Sequence, residues 1–395
     1  MSGVSGVSGV SGAGGAGEAV GVPPTGGDTG FPGEVHPALR TPFCSAVGVE
    51  LPVVQTGMGW VAGPRLVAAT ARAGGLGVLA SATLSLGQLV DAMAEVRDRT
   101  DRPFGVNLRT DVEDVERRID AMAEAGVRVA SFAQAPGRDL VDRCHEAGLF
   151  VLPTVGARRH AEKVTGWGAD AVLTQGAEGG GHTGAVPTTL LTPSVVDAVG
   201  TTVPVVAGGG FFDGRGLVAA LAYGAQGIAM GTRFLLTQES RVPDAVKQRY
   251  LETTVTGTVV STAVDGVPQR VVRTAVVDRL ERAGPVRSLV RSLANAHDFR
   301  RDTGVTLAGL LREGWALRRT AELTWSQVIM AANAPMMTRA ALVDGRIEAG
   351  ILPTGQVVGE LDTLPTVAEV VHGVVAGASA VLRHLEGASG SGHGA

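Results

Sequence analysis

Between Ala171 and Gly184 the chain reads AVLTQGAEGGGHTG, an apolar run that passes straight into a glycine-packed turn ending on His182. Without a Cβ, glycine lets a main chain approach a planar ligand closely. An imidazole at the rim of such a turn is placed to move a proton. Two further turns of the same kind follow, PVVAGGGFFDG at Pro204–Gly214 and GIAMGTRF at Gly227–Phe234. Three strand-to-glycine transitions in one half of a chain point to a cofactor site built on strand ends. The other seven of the 8 histidines, His36, His145, His160, His297, His372, His384 and His393, lie in no comparable setting and read as structural or solvated.

Other chemistries lack their residues. No HxxxH, carboxylate triad or cysteine cluster marks a metal site, and no Gly-x-Ser-x-Gly elbow supports serine hydrolysis. Gly179, Gly181 and Gly184 satisfy G-x-G-x-x-G, but no helix opens on the turn, so a dinucleotide-binding domain is rejected. The two cysteines, Cys44 and Cys144, suit a reduced, cytoplasmic protein. A net charge of −4 without a basic run disfavours nucleic acid, and no apolar stretch reaches membrane-span length. Of 34 basic residues only Lys163 and Lys247 are lysines, which singles out both.

These groups need a scaffold. Apolar, β-branched runs recur at Leu51–Thr56, Gly77–Ala80, Phe104–Leu108, Val127–Phe132, Phe150–Val155, Ala171–Thr174, Val203–Ala207 and Gly227–Met230. Helical patterns separate most of them, among them Leu86–Arg99, Arg158–Gly168, Pro193–Val199 and Gly214–Tyr223. Strands apolar on both faces belong in a parallel sheet covered on both sides. Eight such βα units predict a (β/α)8 TIM barrel, with its active site at the C-terminal strand ends and phosphate held after the seventh and eighth strands. Those two positions carry Gly208–Gly210 and Gly231-Thr232, which can be either tight turns or a phosphate cradle. The earlier strands end in Gln55–Trp60, Leu79–Ser81 and Asn107, groups suited to the edge of a heteroaromatic ring. Asn107 taken alone could equally be a turn residue.

Residues 1–34 repeat Ser-Gly-Val and then continue in Gly, Ala and Pro, a disordered tail by composition and not a signal peptide. The barrel is expected over 35–237. A mainly helical insertion capping it is expected over 238–345, and residues 346–395 return to the barrel with a closing helix at Leu364–Glu386 and a frayed end.

PVVQTGMGW, AGGLGVLAS, FGVNLR, QGAEGGGHTG, VAGGGFFDGRG and GIAMGTRFLLTQES together resemble the nitronate monooxygenase (2-nitropropane dioxygenase) family, in consistent order over about residues 45–385. The resemblance implies a TIM barrel that binds FMN non-covalently and a late helical insertion. It places Gly57 and Met58 at the isoalloxazine edge and Asn107 in a hydrogen bond to the ring. Lys163 matches a flavin-contacting lysine, and Gln175, Gly180 and Gly181 would line the flavin. Gly209, Gly210, Gly231 and Thr232 would hold its phosphate, and His182 matches the active-site histidine. Gln175 stands where nitronate oxidases often carry an acidic residue. The family also includes FMN-dependent enoyl-thioester reductases, and VPDAVKQRYLE, GTVVSTAVDGVPQRVVRT and ELTWSQVIMAANAPM resemble a subgroup associated with reduction of a bicyclic steroid-derived enoyl-CoA. The main expectation is therefore oxidation of nitronates or nitroalkanes to carbonyl compounds with O2. The alternative is NAD(P)H-dependent enoyl-thioester reduction, and a flavin-binding scaffold without turnover ranks last. The expected partners are small molecules, with a homodimer left open.

Overall fold

The computed structural model describes residues 31, 33–110, 112–282 and 333–390. Eight parallel strands close into a barrel: β1 (Val53–Gln55), β2 (Leu76–Ala80), β3 (Phe104–Leu108), β4 (Val129–Phe132), β5 (Phe150–Val155), β6 (Val172–Gln175), β8 (Val205–Gly208) and β9 (Ile228–Met230). Pairing of Val53 with Ile228 and of Gln55 with Met230 joins the last strand to the first. All eight predicted runs supply barrel strands. They are buried along almost their whole length because each faces the barrel interior on one side and a helix layer on the other.

The interior is filled by Val54, Leu76, Val78, Val129, Leu152, Leu173, Val206 and Ala229. Phe43, Cys44 and Val47 of helix α1 (Pro42–Val47) join the same cluster. That helix is tied to the β8–β9 connection, where the Thr41 hydroxyl donates to the Gln226 carbonyl (2.6 Å) and the Phe43 amide to Gln226 Oε1 (3.0 Å). A plug at the N-terminal end leaves the C-terminal strand ends as the open mouth. Cys44 and Cys144 are free and buried, and burial pushes the Cys144 thiol up to about 12, which keeps it protonated and inert.

Helices α2 (Pro64–Arg72), α3 (Leu86–Arg99), α4 (Val115–Glu124), α5 (Arg138–Glu146), α6 (Arg158–Gly166), α7 (Thr188–Val199) and α8 (Gly214–Ala222) follow successive barrel strands. Helix α7 begins five residues before the expected Pro193, which lies inside it. Its start is fixed from a distance: the Glu178 carboxylate accepts from the Thr188 amide (3.0 Å) and hydroxyl (2.7 Å). A carboxylate there satisfies an orphan N–H and complements the helix dipole.

After β9 come α9 (Thr232–Leu235) and α10 (Asp244–Leu251), then an unexpected hairpin, β10 (Thr258–Ser261) and β11 (Gln269–Val272). The hairpin forms an antiparallel sheet in the order β10-β11-β7, where β7 is the two-residue strand Gly181–His182. The expected helical character of 238–345 falls largely on 283–332, outside the described residues. Helix α11 (Asn333–Leu342) leads to the segment Ile351–Gly355, and α12 (Val367–Gly390) closes the ring. The N-terminal stretch assigned to a tail lies mostly outside the described residues as well. Within it the Phe31 ring stands edge-on to His372 of α12 at 5.3 Å, and just beyond it His36 Nε2 lies 3.1 Å from Glu386 of the same helix.

Candidate active site

Strand ends β1 and β3 meet at the mouth so closely that a Cβ on Gly57 would collide with the Asn107 side chain. Asn107 is itself tied in, with its amide 3.5 Å from Ser131 Oγ and its carbonyl accepting from the Ser81 hydroxyl (2.6 Å). Met58 lies beside the last strand end, its sulfur 3.4 Å from where a Gly231 side chain would begin. The same loop holds Trp60 at φ +65°, the one non-glycine residue with positive φ among the described residues. Strain of this kind collects where a loop is shaped for a task.

The opposite wall is the loop from Gln175 to Thr183. Gln175 Nε2 donates to the carbonyls of His182 (2.7 Å) and Gly180 (3.3 Å), so this side chain holds the glycine loop in shape. Gly209 and Gly210 follow β8 at φ +100° and +82°, a left-handed backbone that glycine adopts at little cost because it carries no Cβ. Between the two walls runs Ile351–Gly355. The Gly355 amide donates to Thr232 Oγ1 (2.8 Å), and the Gln356 amide donates to the Glu178 carbonyl (3.0 Å). Thr232 accepts that bond and retains its own proton to donate.

His182 projects from β7 with its side chain 61% exposed, and its Nε2 lies 2.7 Å from Oδ2 of Asp265, a carboxylate only 6% exposed. Asp265 sits in the β10–β11 turn, where its Oδ1 also accepts from the Val267 amide (3.1 Å). His182 is in register with Gln269 of β11, and the Thr183 amide donates to the Pro268 carbonyl (3.1 Å).

The structure thus brings Gly57, Met58, Asn107, Gln175, Gly180, Gly181, His182, Gly209, Gly210, Gly231 and Thr232 to one mouth. Lys163 is not among them, which corrects its expected place. It is exposed on α6, with Nζ over the Trp167 ring at 4.8 Å. Helix α6 starts at the mouth and runs back along the barrel wall. Five residues past its first, at 1.5 Å each, Lys163 has descended about 7.5 Å. Lys247 is structural too: it is buried, it donates to the Ser240 carbonyl (2.9 Å), and burial lowers its pKa. Sequence reasoning missed Asp265, Glu178, Thr188 and Thr354–Gly355. Only the Asp-Gly pair at Asp265–Gly266, a turn signal between two β-branched runs, hinted at one of them. Among the described residues no group of acidic, histidine or cysteine side chains is arranged to hold a metal, and no helix is long and apolar enough to cross a membrane.

Comparison with known proteins agrees with this geometry. The family model described as nitronate monooxygenase matches residues 40–116 and 110–377. A Mycobacterium tuberculosis protein named (3aS,4S,5R,7aS)-5-hydroxy-7a-methyl-1-oxo-octahydro-1H-indene-4-carboxyl-CoA dehydrogenase is 57% identical, over 89% of this chain and 98% of its own. A Rhodococcus jostii protein of the same name is 56% identical, over 86% of this chain and 96% of its own. Among solved structures, FabK from Thermotoga maritima superposes with a TM-score of 0.73 at 29% identity, over 88% of this chain and 99% of its own. With its closed barrel, its glycine-lined mouth and a family match running almost end to end, the chain belongs to the nitronate monooxygenase family of oxidoreductases.

Proposed function

We propose that this protein is an FMN-dependent dehydrogenase of a bulky alicyclic acyl-CoA, removing hydrogen across the bond between the α- and β-carbons of the thioester. The observation that carries the reading is 57% identity, along 98% of its length, to a relative named for dehydrogenating a bicyclic hydroxy-carboxyl-CoA. The mouth fits FMN. Glycine turns leave main chain on the wall where the ring would lie, and a Cβ on Gly57 would displace Asn107, the side chain assigned to the ring edge. Thr232, Gly231, Gly209 and Gly210 would hold the phosphate, Asn107 and Met58 the ring edge, and Gln175 keeps the loop carrying Gly180 and Gly181 in place.

The chemistry that FMN supplies when bound is acceptance of the β-hydrogen with its electron pair. The rest falls to the chain. A thioester acidifies its α-C–H, and the His182 imidazole is placed at the rim to take that proton. Val186, Leu190 and Val267 border the His182 loop and its neighbouring turn, and all three are exposed apolar side chains, Leu190 at 64%. Such a rim suits a fused hydrocarbon ring better than a small nitroalkane. Run in reverse with NAD(P)H as reductant, the same site would reduce an enoyl thioester.

The test is anaerobic mixing of the yellow protein with the hydrindane carboxyl-CoA named for the relative, and separately with propyl-2-nitronate. Bleaching of the flavin by the acyl-CoA is expected. Bleaching by nitronate alone would instead establish nitronate oxidation as the activity. Release of FAD, or a protein that takes up no flavin, would refute the cofactor assignment.

A second result follows from the place of Lys163. Lys163→Ala is expected to keep its FMN affinity, with a change in stability within about 0.5–1 kcal/mol from the lost contact with Trp167. A tenfold weaker FMN affinity, read by fluorescence titration, would return Lys163 to the cofactor site.

A further inference from the structure

We infer that Asp265 is the positioning residue of His182: it fixes the proton on Nε2 and leaves Nδ1 as the nitrogen that exchanges a proton with substrate. The inference rests on the reading of His182 given above. Its basis is a contrast within one pair, an imidazole 61% exposed at 2.7 Å from a carboxylate 6% exposed. An ionised carboxylate only accepts hydrogen bonds, so the imidazole nitrogen facing it must carry a hydrogen. In a neutral ring the other nitrogen then holds the free lone pair, and the tautomer is set by the partner.

The arrangement is built rather than incidental. Asp265 cannot swing away easily, because its second oxygen accepts from the Val267 amide at 3.1 Å. The His182 main chain is pinned on both sides, by pairing of β7 with Gln269 of β11 and by Gln175 Nε2 on its carbonyl at 2.7 Å. The two halves of the pair stand 83 residues apart, one on the barrel loop and one on the inserted hairpin. The hairpin is therefore part of the proton-transfer apparatus and not only a cover. Without the carboxylate an exposed imidazole samples both tautomers and several rotamers, and only a fraction of those present a lone pair to the α-hydrogen.

The experiment follows single-turnover flavin bleaching by the hydrindane carboxyl-CoA in wild type, Asp265→Asn, His182→Ala and the double variant. Asp265→Asn is expected to retain FMN and an unchanged KM but to bleach about 10²-fold more slowly, the scale of positioned acid–base help. The double variant should be no slower than His182→Ala within about threefold, because residues acting as one unit are not additive. Ser261→Ala removes a hairpin hydroxyl that accepts from the Ala263 amide, and should stay within about threefold of wild type. Nitrogen NMR of the His182 ring supplies a readout that folding alone does not move. Nε2 should be protonated and Nδ1 bare in wild type and in Asp265→Glu, and the tautomers mixed in Asp265→Asn. If Asp265→Asn does not fold, Asp265→Glu carries the test, expected slower than wild type with the tautomer kept.

Full-rate Asp265→Asn beside inactive His182→Ala would overturn this inference and leave His182 in its role. Full-rate His182→Ala would remove the underlying reading and this inference with it. Equal tautomer populations in wild type, or a Ser261→Ala loss as large as that of Asp265→Asn, would also overturn it.

Discussion

Replacement of His182 by alanine is expected to give a folded, yellow protein that keeps FMN and loses substrate turnover by about 10²–10⁴-fold. That range corresponds to roughly 2.7–5.5 kcal/mol of transition-state stabilisation. The side chain is more than half exposed and touches Asp265, whereas the residues assigned to the phosphate, Gly209–Gly210 and Gly231–Thr232, sit just past the ends of β8 and β9 and do not include it. Truncation should therefore separate chemistry from cofactor retention. With acyl-CoA the loss should fall on bleaching of the flavin by substrate, while any reduction by NAD(P)H survives. With nitro compounds it should be smaller for a nitronate, which arrives ionised, than for the neutral nitroalkane. Flavin absorbance after gel filtration and stopped-flow bleaching read the two properties separately. An apo or unfolded variant would show that the histidine is structural, and full activity on every substrate would show that another group moves the proton.

What could be read in advance follows the range of the physics involved. Barrel strands are local: a run such as Val203–Ala207 must be apolar on both faces wherever it is covered twice, so its signal survives without knowledge of its partners. The glycine turns were legible for the same reason, because Gly209 and Gly210 adopt positive φ through their own backbone. The start of α7 was not legible. Pro193 is a good first helical residue by local preference, yet the helix starts at Thr188 because a carboxylate ten residues upstream caps it. Asp265 was hidden further still, since nothing in a two-residue strand at Gly181–His182 announces that a hairpin beginning at Thr258 will pair with it.

Lys163 shows the opposite failing. A family resemblance carries over position along the chain, but a helix turns its residues through 100° each, so a contact assigned by alignment is sensitive to a shift of one place. The exposed face of α6 holds this lysine against Trp167, and its charge serves the outer surface of the barrel. Glycines on the loops carry over better, because what they contribute is the absence of a side chain rather than its direction.

Gly180→Ala is the sharpest test of that point, and is expected to weaken FMN binding by about 10–10²-fold while the barrel stays folded. A Cβ on Gly180 would stand 2.5 Å from the carbonyl carbon of Thr354, 2.6 Å from the Gly355 nitrogen and 3.0 Å from the Thr354 Cα. All three are main-chain atoms, so no rotamer change relieves the clash and the Ile351–Gly355 segment must move. That segment holds Thr232 through the Gly355 amide at 2.8 Å and is itself held by the Arg270 carbonyl, which accepts from Thr354 at 3.1 Å. Displacing it therefore disturbs the hydroxyl assigned to the phosphate and the strand that carries the hairpin. Overpacking of this sort costs about 1–3 kcal/mol, which sets the expected range in affinity. Gly179→Ala is a graded comparison, since its added carbon would meet the Gln175 side chain at 3.0 Å and the Gly176 carbonyl oxygen at 3.1 Å, contacts looser than those at Gly180. Gly137→Ala, with open space around it, should change nothing. FMN affinity by fluorescence titration, with circular dichroism as the check on folding, ranks the three variants. Wild-type affinity in Gly180→Ala would separate the Ile351–Gly355 segment from the cofactor wall, and global unfolding would make the contact a requirement of the fold instead.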